Sequence, residues 1–176
     1  MKKFLIVVDM QKDFVDGALG TPEAIAIVPN VVRKIQDFDG ELIATFDTHH
    51  ENYMDTAEGK KLPVPHCIQG TPGWALDSAV AAALENRGYT AVEKPTFGST
   101  ALAGILRQMA GQEDFSMELV GLCTDICVVS NALMLKANFP EMEIAVDSTC
   151  CAGVTPETHE AALATMRCCQ IDVIGE

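Results

Sequence analysis

Long apolar runs alternate along the chain with segments in which apolar residues recur at helical spacing. Residues 3–9 (KFLIVVD) form an uninterrupted apolar run that ends in an acid, and residues 41–47 (ELIATFD) form a second. Runs of this kind are typical of strands that are buried on both faces. Between them, residues 22–36 have the periodicity of a helix, carried by Ile25, Val28, Val32 and Ile35.

The same alternation continues along the rest of the chain. Further strands are predicted at residues 89–94, 117–122, 143–148 and 170–175. Further helices are predicted at residues 74–86, 125–138 and 156–168, and from a cap at Ser99 or Thr100 to Met109. Because apolar strands alternate with helices, the strands should pair in parallel with helices on both faces of the sheet. The pattern predicts a single three-layer α/β domain over residues 1–176.

Segment 48–73 interrupts this alternation. It has neither helical nor strand periodicity, it is punctuated by prolines and glycines, and it holds His49, His50 and His66. A loop of this length inside a compact domain is usually either functional or disordered. The segment is therefore a candidate for part of a site.

The net charge of the chain limits the classes of partner that we expect it to bind. The formal net charge is −13 at pH 7, and both nucleic acids and anionic membrane surfaces are bound through basic patches. A neutral small molecule is therefore the easier substrate to expect. The first apolar run is too short for a signal peptide, and no segment is long enough to span a membrane. We expect a cytoplasmic protein with no nucleic-acid or membrane partner.

The cysteines do not have the pattern of a disulfide framework. They are Cys67, Cys123, Cys127, Cys150, Cys151, Cys168 and Cys169. Their number is odd, two pairs are adjacent in sequence, and no pair has the CxxC spacing of a zinc site. In a reducing compartment most of them should be free thiols that pack as small apolar residues.

Four reactive side chains lie where predicted strands end. Asp9 ends the first strand, Asp47 the second and Lys94 the third, and Cys127 opens the helix after the fourth. Ligands of open parallel sheets bind beyond the carboxyl ends of the strands. A helix start and a nearby lysine would lower the pKa of Cys127, and a carboxylate could take its proton. The sequence therefore predicts an activated nucleophile without a histidine. A redox or metal-sensing protein that uses Cys123 and Cys127 is a less favoured alternative, because Cys123 precedes the helix.

Metal ligands are also present after the second strand. Asp47 and His49 can point the same way, His66 can return to them along the loop, and Glu58 is a further donor. Imidazole and carboxylate ligands suit a borderline divalent ion such as zinc, iron or manganese. From the residues alone, a solvated polar loop is the slightly favoured interpretation.

Three stretches resemble the signatures of the isochorismatase-like cysteine hydrolases, a superfamily that includes nicotinamidases, isochorismatases and N-carbamoylsarcosine amidases. They are VVDMQKDF (7–14), the strand end at Lys94, and GLCTDICV (121–128), in the family's order over essentially the whole chain. The resemblance implies a six-stranded parallel sheet in the order 3-2-1-4-5-6 and a triad of Asp9, Lys94 and Cys127. By analogy it also implies a homo-oligomer, and we expect no organic cofactor.

The reaction that this resemblance implies is hydrolysis of a small amide through a thioester. Asp9 would take the proton of Cys127, and the backbone N–H groups of Cys123 and Cys127 would hold the oxyanion. N–H groups at the end of a strand normally point sideways into the ladder. The resemblance accordingly suggests a cis peptide bond between Leu122 and Cys123.

Segment 48–73 resembles the metal-binding segment of nicotinamidases, which favours a site formed by Asp47, His49 and His66. Glu58 is a candidate fourth ligand, and a site of three ligands is the alternative. That branch implies nicotinamide as the substrate and nicotinate and ammonia as the products. Phe14 is a candidate wall for the ring, and Phe97 is a weaker one for which a plain core position is the favoured interpretation. Residues 62–65 and 95–100 depart from the usual nicotinamidase pattern. Another small amide, a carbamoyl compound or a vinyl ether is therefore the alternative within the superfamily.

Overall fold

The computed structural model describes residues 1–175. Its strands are β1 (Lys2–Val8), β2 (Glu41–Asp47), β3 (Thr90–Lys94), β4 (Phe115–Leu122), β5 (Glu143–Ala152) and β6 (Asp172–Ile174). They form one sheet in the order β3-β2-β1-β4-β5-β6, and every pair is parallel. The predicted fold class is confirmed.

Helices connect the strands. They are α1 (Lys12–Val15), α2 (Pro22–Asp37), α3 (Ala57–Lys61), α4 (Ser78–Arg87), α5 (Leu102–Ala110), α6 (Val129–Asn138) and α7 (Pro156–Cys168). A 3-10 turn at Tyr53–Asp55 precedes α3, and a π-helical turn at Thr124–Val128 precedes α6. Within the described range, none of these helices has the length and apolar character that a membrane crossing requires.

The core lies on both faces of the sheet. Successive residues of a strand point to opposite faces, so Phe4, Ile6 and Val8 of β1 pack with α5, α6 and α7 on one face. Leu5 and Val7 pack with α2 and α4 on the other face. Because helices cover both sides of the central strands, β1 is apolar at every position from Phe4 to Val8 rather than at every second one.

The predicted starts of two helices were wrong. α4 begins at Ser78 rather than at residue 74, because Asp77 Oδ1 accepts two N–H groups from the first turn of the helix and so caps it there. Neither Ser99 nor Thr100 caps α5, whose N-cap is Ala101 without a side-chain hydrogen bond. Ser99 instead binds α6 through its backbone N–H.

Segment 48–73 is more regular than the sequence predicted. It contains the 3-10 turn and α3, and it returns to the sheet edge through a short parallel bridge between His49 and Ile68. The N–H of His49 donates to the carbonyl of Cys67 over 2.9 Å. This bridge brings the chain around His66 alongside the carboxyl end of β2.

β1 and β4 are the neighbouring strands at which the strand order of the sheet changes direction, and their carboxyl ends approach closely. Val8 pairs with Gly121, which has φ +116°, and a Cβ at Gly121 would overlap the carbonyl of Val8. Only glycine permits this approach. Asp9 follows directly with φ +45°, a conformation that aspartate tolerates better than most residues. Asp9 and the turn after Leu122 are therefore placed side by side.

Candidate active site and metal centre

Asp9, Lys94 and Cys127 meet at the carboxyl edge of the sheet. Lys94 Nζ lies 2.6 Å from Asp9 Oδ2 and 3.5 Å from Cys127 Sγ. The three residues are 0%, 1% and 4% exposed in the order Asp9, Lys94, Cys127. Because β2 lies between β3 and β1, only a long side chain on β3 can reach Asp9, and the lysine spans that width.

One oxygen of Asp9 is fixed and the other faces the lysine. Thr45 Oγ1 donates a hydrogen bond of 2.6 Å to Asp9 Oδ1. Asp9 Oδ2 has no partner among the described residues other than its ion pair with Lys94. Burial raises the pKa of Asp9, and the charge of Lys94 opposes that shift. A carboxylate with a raised pKa is a stronger base than an exposed one.

The pKa of Cys127 does not follow the prediction made from its helix start. Burial raises the pKa of this thiol well above its usual range, the charge of Asp9 adds to the shift, and Lys94 lowers the pKa without offsetting them. The predicted low pKa was therefore wrong, and the resting thiol is protonated at neutral pH. Burial alone would lower the pKa of Lys94, but the charges of Asp9 and Asp47 raise it, as does Cys127 when it is a thiolate. Lys94 is therefore a cation.

The turn that carries Cys127 is π-helical. The carbonyl of Cys123 accepts hydrogen bonds from the N–H of Ile126 at 3.1 Å and from the N–H of Val128 at 3.0 Å. It accepts none from the N–H of Cys127, which lies between them in sequence. The peptide bond between Leu122 and Cys123 is cis, as the resemblance suggested. Single π turns inside helices are frequent at functional sites.

The remaining cysteines do not form a second reactive group. All seven are free thiols, and Cys67, Cys150 and Cys151 are buried in the core. Burial and the charge of Asp125 raise the pKa of Cys123 to about 12. Cys123 and Cys127, the pair that the redox alternative would use, therefore both have a raised pKa rather than the lowered one that such a pair needs.

Four side chains form a cluster beside the triad. Each of them offers one ligand atom, and these atoms all lie within 4.8 Å of one another in the set Asp47, His49, Glu58 and His66. His49 Nε2 is 3.1 Å from Asp47 Oδ2 and 3.6 Å from Glu58 Oε1. His66 Nε2 is 3.5 Å and 3.6 Å from the same two oxygens. His50, in contrast, is exposed.

The spacing of this cluster fits a divalent ion. A tetrahedral site with bonds of about 2.0–2.1 Å has ligand atoms roughly 3.4 Å apart. The four distances between an imidazole and a carboxylate are 3.1–3.6 Å, and all the ligand atoms lie within 4.8 Å of one another. Two imidazoles with two carboxylates are ligands that a borderline ion accepts. His66 Nδ1 lies 2.8 Å from the carbonyl of Val64, a contact that fixes the ring with Nε2 toward the cluster.

Asp47 lies between the triad and the other members of the cluster and contacts both groups. Its Oδ1 lies 3.7 Å from Lys94 Nζ, while its Oδ2 faces the two imidazoles. Burial would raise the pKa of Asp47, but hydrogen bonds from His49 and His66 and the charge of Lys94 hold it well below its usual range. Asp47 is therefore ionised, and it links the two groups electrostatically.

Two polar residues that the sequence analysis overlooked hold this edge in place, the buried Gln11 and the half-buried Asp13. Gln11 is fully buried, its Oε1 accepts the N–H of Asp47 at 2.8 Å, and its Nε2 donates to the carbonyls of Asp47 and Trp74. Asp13 Oδ2 accepts the N–H of Cys67 at 2.8 Å, next to His66. A polar residue directly after a buried strand was the available signal, because buried amides and carboxylates need partners.

The two aromatic residues predicted to line the substrate site have different surroundings. Phe14 is buried on α1, and its ring centroid lies 5.4 Å from that of His66. Phe97 is 43% exposed on the loop after β3, so its alternative assignment to the core was wrong. Phe14 therefore borders the metal-ligand cluster, whereas Phe97 lies on the surface.

Comparison with known proteins agrees with this geometry. The family model for the isochorismatase domain matches residues 3–175. The chain is 31% identical to the nicotinamidase/pyrazinamidase of Mycobacterium tuberculosis over an alignment 189 positions long, which covers 97% of each chain. The crystal structure of nicotinamidase/pyrazinamidase from Bacillus subtilis is similar with a TM-score of 0.85 at 29% identity, covering 98% of this chain and 99% of that one. A pyrazinamidase of Pyrococcus horikoshii, solved in complex with zinc, is similar with a TM-score of 0.77 at 28% identity over 100% of both chains.

Proposed function

The chain belongs to the isochorismatase family, and from that membership we propose that it is a nicotinamidase-like amidohydrolase. Its substrate would be nicotinamide or a closely similar small amide, and its products the carboxylate and ammonia. The observation that carries the proposal is the contact of one buried lysine with both a carboxylate and a thiol, at 2.6 Å from Asp9 and 3.5 Å from Cys127. The similar proteins named above include nicotinamidases from two bacteria.

We assign the first half of the reaction to Asp9 and Cys127. Asp9 takes the proton of the Cys127 thiol, and the sulfur forms a bond to the amide carbon. The carbonyl oxygen becomes an oxyanion, which the backbone N–H groups of Cys123 and Cys127 bind. The carbon–nitrogen bond then breaks, the nitrogen receives the proton from Asp9, and ammonia leaves.

The second half regenerates the thiol. Asp9 takes a proton from water, the water oxygen bonds to the thioester carbon, and the carbon–sulfur bond breaks. Asp9 then returns its proton to the Cys127 sulfur, and the product acid loses its own proton to the solvent. Lys94 remains charged throughout, because three neighbouring groups raise its pKa. Its charge stabilises the thiolate that forms in the first step and leaves in the second.

A raised thiol pKa fits this sequence of events. The resting pair is a neutral thiol beside a carboxylate: burial raises the pKa of the Cys127 thiol, whereas in Asp9 the charge of Lys94 opposes the effect of burial and favours the ionised form. The proton then moves only when an electrophilic carbon is in reach of the sulfur. A buried thiol that stays protonated between turnovers is also protected from oxidation, because the thiolate is the reactive form.

Asp47, His49, Glu58 and His66 would hold a divalent metal, and zinc, iron or manganese each suits this ligand set. When bound, such an ion supplies a Lewis-acid position for a ring nitrogen or for water. Zinc is the ion in the pyrazinamidase of Pyrococcus horikoshii. Phe14 would form the wall for the substrate ring, because its own ring packs against His66, and Phe97 would lie at the entrance.

Ammonia release tests the proposal. Purified protein would be assayed with nicotinamide, pyrazinamide, benzamide and an aliphatic amide, before and after treatment with a chelator, with Cys127→Ala as the control. Release from nicotinamide that Cys127→Ala abolishes supports the function. Release from the aliphatic amide alone would favour another family substrate, and no release from any amide would reject the proposal. The homo-oligomer and the cytoplasmic location stay predictions.

A further inference from the structure

The side chain of Asn131 joins two parts of the chain that carry the triad. Asn131 lies on α6, one turn after Cys127, and is 1% exposed. Its Nδ2 donates to the carbonyl of Cys127 at 2.8 Å and to the carbonyl of Phe97 at 3.2 Å. Its Oδ1 accepts the N–H of Ser99 at 2.9 Å. Only this orientation of the amide satisfies all three backbone groups.

The loop that Asn131 holds is the one that follows Lys94. Lys94 Nζ donates to the carbonyl of Thr96 at 3.0 Å, so the ammonium group and the loop are themselves connected. The loop also lies tight against α6, because a Cβ at Gly98 would overlap the sulfur of Met134. The loop is thus fixed to the lysine at one point and to α6 at two others.

We propose that Asn131 is a positioning residue that fixes the Cys127 turn relative to the Lys94 loop. This assignment rests on the proposed function of the triad. Lysine has a long flexible side chain, and its ammonium group keeps its contact with the Cys127 sulfur only if both backbones are held. Asn131 supplies that connection through the carbonyl of the nucleophile's own residue.

A merely structural role for Asn131 predicts something different. A buried amide that served only the fold would, when replaced, lower the stability of the whole domain and leave each folded molecule fully active. A positioning residue, when replaced, disturbs one local relationship in a folded protein. Misplacement of a reacting group by about 1 Å can cost roughly 100-fold in rate.

Two substitutions separate these roles. Asn131→Leu has a similar volume and removes all three hydrogen bonds, whereas Asn131→Ser leaves a hydroxyl that can still bind the carbonyl of Cys127. Neither can bind the loop. Two controls match them: Asn138→Leu changes an asparagine on the same helix that is exposed, and Ser99→Ala removes a hydroxyl that has no hydrogen-bond partner among the described residues but keeps the N–H.

The decisive measurement is the alkylation rate of each cysteine, resolved by mass spectrometry in folded protein. Because the Cys127 sulfur is buried, alkylation requires local opening of its turn. In both Asn131 variants that opening, and with it the labelling of Cys127, should become at least about tenfold more frequent, the change that loss of one buried hydrogen bond produces. Cys67 and Cys151, which are buried elsewhere, should stay protected. In parallel, kcat should fall roughly 100-fold with KM little changed, and both controls should behave like the unsubstituted protein.

Three outcomes would overturn the proposal. They are unchanged labelling of Cys127 in a folded Asn131 variant, equal acceleration at all buried cysteines, and an effect of the same size in either control. If Asn131→Leu does not fold, Asn131→Ser decides the question. The labelling comparison does not require turnover. If the protein released no ammonia, the proposed function would be rejected, but the labelling comparison would still test the positioning role of Asn131.

Discussion

Asp9 and Lys94 form an ion pair of 2.6 Å in which neither side chain has any exposed surface. Both charged groups are buried away from water, and each is stabilised chiefly by the other and by a few hydrogen bonds. The pair therefore stabilises the fold only while it is complete. Its position next to the Cys127 sulfur means that the same two charges also govern the proposed chemistry.

Lys94→Met should destabilise the protein strongly and abolish turnover. Removal of one partner from a buried pair costs about 3–5 kcal/mol, because the other charge is left without compensation. The double variant Asp9→Asn, Lys94→Met should recover much of that stability and none of the activity. Asparagine suits the position because it tolerates the positive φ of residue 9. Urea unfolding would measure the recovery, and a double variant no more stable than Lys94→Met would contradict it.

Alkylation of the native protein should begin at Cys168 and Cys169 rather than at Cys127. The first two are exposed, whereas Cys127 is buried and has a pKa well above its usual range. The sequence alone predicted the opposite order, because a helix start and a lysine normally activate a thiol. Time-resolved labelling with iodoacetamide at pH 7 would decide between the two, and earliest labelling of Cys127 would count against the raised pKa.

Stability should fall as the pH rises from 8 to 10. Burial raises the pKa of Cys67, Cys127 and Cys151 in the folded protein, while in the unfolded chain a thiol has a pKa of about 8.5. Below that value the thiols are neutral in both states. Above it the unfolded chain loses protons that the folded protein keeps, so each buried thiol lowers the unfolding free energy by about 1.4 kcal/mol per pH unit.

Urea unfolding at several pH values would measure that slope. Cys127→Ala should reduce it by the share of one thiol, while Cys168→Ala, at an exposed position, should leave it unchanged. A stability that stays constant between pH 8 and 10 would show that the folded thiols titrate normally.

Cys123→Ala should keep most of the activity. In the proposed reaction residue 123 contributes only its backbone N–H, which alanine retains, and its thiol has a pKa raised to about 12. The redox alternative assigns the function to that sulfur. Ammonia release by Cys123→Ala at close to the normal kcat would separate the two, and loss of activity in a folded variant would favour the pair of thiols.

The sheet was predictable because its strands carry their own signal. The FLIVV run of β1 is apolar at every position since helices cover both faces, and a short run of this kind is typical of a central parallel strand. The acids and the lysine at strand ends then had to share one edge, because all strands are parallel. The predicted starts of α4 and α5 were wrong: the two helices begin at Ser78 and Leu102. Which side chain caps a helix depends on which one the tertiary structure leaves available.

The electrostatics of the site could not be predicted from the sequence. The direction of the Cys127 pKa depends on how deeply the sulfur is buried and on its distance from Asp9, and neither quantity is local in the chain. The same is true of Asn131, whose partners Phe97 and Ser99 lie more than thirty residues away. The grouping of Asp47, His49, Glu58 and His66 was favoured only by the family resemblance, since the residues alone slightly favoured a solvated loop, and the return of His66 to the strand end depends on the fold.

Metal content should depend on the four clustered side chains and on no other histidine in segment 48–73. The ligand atoms of Asp47, His49, Glu58 and His66 lie within 4.8 Å of one another, so we expect about one ion per chain, with water or substrate completing its coordination. Elemental analysis of protein dialysed against zinc, iron or manganese would give the number and the preference. His49→Ala and His66→Ala should each lose the ion, because both imidazoles contribute to one small site.

The neighbours of these ligands provide matched controls for the metal. His50→Ala removes an exposed imidazole directly beside His49, and Cys67→Ser changes a buried thiol directly beside His66, so both variants should keep the ion. Chelation should lower the melting temperature of the unsubstituted protein and of these two controls, because an ion that binds only the folded state stabilises it. It should leave His66→Ala unaffected. Retention of the ion in an Asp47→Ala, His49→Ala double variant would place it elsewhere in the protein.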